Sequence, residues 1–131
     1  MQIIHFTQGA TDELSGFRAL GVGSVPLADG SGDTHVTCLH FCPGAKILAP
    51  PVTHDSALLI VSGEVNVVFD VGGRAHLSAG MGVITDAGQH YSLESRTGAI
   101  AIAVESQRLQ ATVRAISTPE RIMGQRWPGE Q

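Results

Sequence analysis

Short apolar runs, separated by glycine, proline or Asp/Asn/Ser turn formers every eight to twelve residues, leave this chain few folds to choose from. Runs of that length suit strands rather than helices, and so many breaks suit a sandwich or barrel. Residues 35–41 read as one strand, closed by a Pro43-Gly44 turn. Residues 57–61 form an unbroken apolar run, and Gly63 introduces a second run over 65–69. The segment 70–74 reads as a hairpin connection, with Gly72 and Gly73 expected to supply positive φ. Two short strands, 76–79 and 82–85, flank Gly80, and 99–104 makes a final core strand.

The two ends are plainer. Residues 1–34 hold a short apolar start, a polar stretch around Thr11, Asp12 and Glu13, and a segment over 28–33 dense enough in turn formers to predict a loop. After Ser106, Leu109, Val113 and Ile116 fall at helical spacing, yet 111–116 would extend the sheet equally well, and both readings stay open for 106–117. Thr118 as N-cap, Pro119 at the first helical position and Gly124 as a stop predict a short C-terminal helix. Trp127 is expected to pack on the body as a tail aromatic.

At 131 residues the chain has room for one domain, 1–131, and a single core is expected. Charged residues are 15% against a usual ~25%, while 43% are hydrophobic, so part of the surface is expected to be apolar and covered by a partner subunit, most simply in a homodimer. A net charge of -4 gives no basic stripe for nucleic acid. Four of the eight basic residues follow Glu105, but Glu120 and Glu130 are mixed among them, as on a solvated surface. No apolar run approaches the ~20 residues of a membrane span, and residues 1–5 lack the pattern of a signal peptide, so a cytoplasmic location is expected. Cys38 and Cys42 are ~13 Å apart along an extended run, too far for a disulfide, and two free thiols suit a reducing compartment.

Between Gly44 and Tyr91 the chain carries a more specific signal. Its first half runs Pro43-Gly44-Ala-Lys-Ile-Leu-Ala-Pro-Pro-Val-Thr-His-Asp-Ser-Ala-Leu-Leu-Ile-Val-Ser-Gly63, and its second Gly80-Met-Gly-Val-Ile-Thr-Asp-Ala-Gly88-Gln-His-Tyr91. These segments resemble the two motifs of the cupin superfamily in its small, single-domain, RmlC-like form. The resemblance covers about 35–105 and leaves 106–131 as a C-terminal extension. It implies an all-β fold, an antiparallel double-stranded β-helix or jelly-roll barrel, here with a short C-terminal helical tail.

Cupins of this pattern hold a metal with two histidines and a glutamate from the first motif and a histidine from the second. The corresponding positions here are Pro50, Val52, Ser56 and Tyr91, and Asp86 replaces the second motif's proline. Proline and valine offer no lone pair to a cation, and a serine hydroxyl and a tyrosine phenol are protonated, weak donors at neutral pH. The resemblance therefore implies a degenerate metal site. Pro50, Val52, Ser56 and Tyr91 are expected to line a more apolar pocket that takes a small organic ligand, with no cofactor.

Two other chemistries compete. His54 and His90 lie next to the lost ligand positions, and His40 shares strand parity with Cys38 and Cys42, so displaced histidines could rebuild a divalent-metal site for a dioxygenase- or isomerase-like enzyme. Some metal-free cupins isomerise or epimerise sugars with histidine as base and tyrosine as acid, which would cast His54, beside Asp55, and Tyr91 in those roles as a metal-free isomerase or cyclase.

Overall fold

One long strand organises the molecule. The computed structural model describes residues 1–7, 12–13, 21–48, 53–70 and 72–117. Along β6 (Asp55–Phe69) side chains alternate within each half, burying Leu58 and Ile60 and then Val65 and Val67, and a register shift that leaves Val61 unpaired with β10 accounts for the change from even to odd positions. Gly63, at φ +80°, divides the strand into two halves that join different sheets. The first half pairs antiparallel with β8 (Met81–Thr85) and β10 (Ala99–Ala111). The second half pairs with β7 (Arg74–Ser78) and β9 (Tyr91–Ser95).

Outer strands complete each sheet. β1 (Gln2–His5) adds to β8, and β4 (Ala28–Phe41) adds to β10, giving the order β1-β8-β6-β10-β4. On the other side β5 (Ala45–Leu48) pairs with β9. A separate two-residue pairing joins β2 (Asp12–Glu13) to β3 (Gly23–Ser24). Phe41, Leu58, Ile60, Val83, Ala99 and Ala101 of the first sheet meet Val65, Val67, Leu77 and Leu93 of the second, forming the apolar interior of a barrel.

Where the strands differ from the sequence reading, cross-strand partners explain the difference. Residues 28–33 are strand, not loop: they pair with β10, and a bulge between Ser31 and Thr34 absorbs the extra residue. Gly32 takes φ +85° in that bulge, so its turn chemistry is real although no turn forms. The runs 57–61 and 65–69 are one strand rather than two, and the predicted strand at 99–104 continues to Ala111. Of the two hairpin glycines Gly72 has positive φ and Gly73 does not; a Cβ at Gly73 would lie 2.9 Å from the Phe69 ring. β5 and β9 are additional strands that the apolar runs did not single out.

The single core expected is two buried clusters. The second, on the outer face of the first sheet, gathers Ile4, Ala57, Ile84, Leu109, Ala111 and Ala115. It is roofed by α1 (Val113–Ser117), which resolves the open choice for 106–117: sheet to Ala111, then helix. Thr112 is the cap, its hydroxyl accepting from the Ala115 N–H at 3.2 Å and donating to the Pro26 carbonyl. Its own N–H reaches the Leu27 carbonyl at 3.0 Å, so the helix is stitched to the segment that starts β4. The helix start at Thr118 and Pro119, the Gly124 stop and Trp127 lie outside the described residues.

Burial on β1 gives the fold a pH dependence. The His5 imidazole loses water contact there, which lowers its pKa below the ordinary 6.5. Above that value both folded and unfolded chains carry a neutral ring. As pH falls below it the unfolded chain takes up a proton first, so stability declines until the folded state is protonated too. His5→Gln is expected to shrink the loss in urea midpoint between about pH 7.5 and pH 5.5. An unchanged slope would assign the pH dependence to other groups.

Candidate functional site

The barrel has one end where the chain crosses from the first sheet to the second. β8 finishes at Thr85, a turn over 86–90 follows, and β9 begins at Tyr91. The turn closes through the Gln89 N–H to the Asp86 carbonyl at 3.2 Å and the Asp86 N–H to Gln89 Oε1 at 2.7 Å. β6 starts at the same end, since Ser56 lies opposite Thr85.

Asp55 ties this end together. Its Oδ1 accepts from the Ala87 N–H and its Oδ2 from the Leu109 N–H, each at 2.9 Å. One carboxylate thus links the 86–90 turn to β10. The His54 imidazole is instead engaged through Nδ1 with the Thr53 hydroxyl at 2.9 Å. The neighbouring carboxylate that would tune a His54 base is therefore directed elsewhere, as alternation along a strand favours.

Ser56 is buried and its Oγ lies 2.5 Å from Thr85 Oγ1, also buried. The two hydroxyls satisfy each other among apolar neighbours, because an unpaired hydroxyl at this depth would be costly. Tyr91 is half-buried, opposite Phe69, and packs on the interior cluster with Leu39, Ile47 and Ala103. Pro50 and Val52 lie outside the described residues. Thr85 is the participant the sequence reading missed. Its signal was available: a hydroxyl at the same parity as Met81 and Val83, where an apolar side chain would be expected.

The Ser56–Thr85 pair makes a double-substitution test. Ser56→Ala is expected to destabilise by about 1–2 kcal/mol because it leaves the Thr85 hydroxyl buried without a partner. Adding Thr85→Val should recover most of that loss, as measured by chemical denaturation of the single and double variants. Additive losses would mean the hydroxyls are not coupled.

Of the three histidines considered as displaced ligands, His40 is remote from His54. His40 is exposed on the outward face of β4, opposite Ile100, whereas Asp55 beside His54 lies opposite Ser106. Six residues of β10 separate those positions, ~20 Å by strand rise. His90 is exposed at the end of the turn, and its carbonyl accepts from the Asp70 N–H at 3.3 Å. Among the described residues no three His, Cys, Asp or Glu side chains come together as a metal-binding group. None of their helices is long and apolar enough to cross a membrane.

No protein-family profile and no curated protein matches the chain. Solved structures do. A cupin superfamily protein from Desulfitobacterium hafniense superposes with a TM-score of 0.55 at 15% identity, covering 63% of this chain and 77% of the other. A conserved protein of unknown function from Streptococcus pyogenes gives 0.54 at 18% identity, over 60% of this chain and 68% of that one. An RmlC-like cupin from Shewanella frigidimarina gives 0.53 at 24% identity, over 57% and 67%. At such identities the likeness speaks for the backbone alone, and it agrees with two antiparallel sheets sharing β6 around an apolar interior: this is a cupin-fold protein.

Proposed function

We propose that this chain binds a small, partly apolar organic molecule at the barrel end framed by Ser56, Thr85 and Tyr91, without the metal typical of the fold. The donor chemistry carries the reading. Where the cupin pattern has a glutamate stands Ser56, its hydroxyl already held by Thr85 at 2.5 Å, and where it has the last histidine stands a half-buried tyrosine. A hydroxyl and a phenol suit an organic ligand better than a divalent cation, which would demand ionised or imidazole donors. Leu39, Ile47 and Phe69 supply half-buried apolar surface against the same interior, as small-molecule sites usually do. Such a module acts as a sensor, a carrier or an enzyme on that ligand, most simply as a homodimer in the cytoplasm.

Titration of a set of small aromatic and aliphatic acids, alcohols and amides, followed by amide chemical shifts, tests it. Shifts confined to Ser56, Thr85, Tyr91 and their neighbours, abolished by Ser56→Phe, are expected. Stoichiometric metal that disappears on His54→Ala or His90→Ala would replace this reading with the metalloenzyme one. Turnover of a bound sugar lost in His54→Asn, with the barrel still folded, would favour the isomerase.

A further inference from the structure

Among the described residues, the outer face of the first sheet is only partly covered. α1 roofs the β1–β8 side, but where β6, β10 and β4 run together the outward residues include Leu59, Ile100, Ile102, Val36, Cys38 and His40. The register sets them side by side: Cys38 opposite Ile102, His40 opposite Ile100, and Ile102 opposite Leu59. Val36 is 66% exposed, and Cys38 and His40 are exposed as well. Among the described residues β4 is the edge strand of this sheet.

On this face Cys38 Sγ lies 3.6 Å from His40 Nε2. A tetrahedral zinc ion with a sulfur ligand at ~2.3 Å and an imidazole ligand at ~2.05 Å holds those two atoms about 3.5 Å apart. We propose that Cys38 and His40 are half of a zinc site that a second copy of this chain completes with the same pair, giving a Cys2His2 ion on a two-fold axis.

Three observations point to a second copy. Two donors are half of the four that closed zinc sites take, and a two-fold axis through the ion supplies the rest without any new residue type. Cys42 is no third donor from the same chain, being ~13 Å from Cys38 by strand rise. The outward neighbours Val36, Ile100, Ile102 and Leu59 carry no charge, so two copies meet apolar on apolar without like-charge repulsion. Sulfur and imidazole donors select zinc over magnesium or calcium. On binding, each Cys38 thiol gives up its proton to solvent and its sulfur bonds the metal, while each His40 ligates through Nε2 with its proton on Nδ1. Two protons leave per ion and nothing is oxidised.

The test uses the full chain, reduced and stripped with chelator, then titrated with zinc alone while mass is followed by light scattering and metal by elemental analysis. One zinc per two chains, with dimers forming as zinc is added and dispersing with chelator, is expected. Cobalt in its place should show thiolate-to-cobalt absorption. Cys38→Ala and His40→Ala, both on an exposed face, should each weaken zinc binding about a hundredfold and abolish the zinc dependence of dimerisation. Zinc bound at one per chain, zinc binding indifferent to both substitutions, or a chain that stays monomeric with zinc would each overturn the proposal. The barrel ligand is not involved, so either idea can fail alone.

Discussion

Gly63→Ala should lower stability by about 2–5 kcal/mol. Two effects combine. Gly63 has φ +80°, where an L side chain is strained by about 1–2 kcal/mol. Its added Cβ would also lie 2.2 Å from the Gly98 carbonyl oxygen and 2.7 Å from Ala99 Cα, backbone atoms that cannot rotate away. Making room would shift the β10 end of the barrel, at the further ~1–3 kcal/mol typical of overpacking. Gly44→Ala and Gly88→Ala separate the two effects. Their φ values are +86° and +87°, yet a Cβ at either meets nothing within 4 Å, so only the dihedral strain of about 1–2 kcal/mol remains. Urea unfolding of the three variants is the measurement. Equal losses would show that the contact with Gly98 is relieved freely.

Asp55→Ala is the second large effect, about 3 kcal/mol. The carboxylate receives two backbone N–H groups at 2.9 Å, and charge-assisted bonds of this kind contribute about 1.5–3 kcal/mol each before solvent takes a share. Ala87 is exposed, so water recovers part of its loss; Leu109 is buried and its N–H is left poorly served. Asp55→Asn keeps one acceptor oxygen and should lose only about 1–2 kcal/mol. Hydrogen exchange gives an independent readout. In Asp55→Ala the Leu109 amide should lose protection, whereas a global destabilisation alone would leave its rank among β10 amides unchanged.

The barrel was legible because its turns are written in residues that few alternatives replace. Gly44, Gly63, Gly80 and Gly88 all have positive φ, so their spacing in the chain reports backbone geometry directly. The same chemistry misled over 28–33. There Gly32 serves a bulge and Gly30 a close approach to Leu109, Arg108 and Ser106, needs indistinguishable in sequence from those of a loop. For the candidate site, motif positions pointed to Ser56 and Tyr91 but not to the hydroxyl partner Thr85. Asp55 illustrates why the rest was hidden. Beside His54 in the chain it suggests an acid–base pair, but its partners, Ala87 and Leu109, are 32 and 54 residues away and become neighbours only in the folded barrel.

Because β6 bonds to β8 and β10 with one half and to β7 and β9 with the other, neither sheet can open without releasing a strand of its neighbour. The two layers are therefore a single cooperative unit rather than two leaves around a cleft. Backbone amides on both sides of Gly63 are accordingly expected to exchange with solvent at similar, globally limited rates.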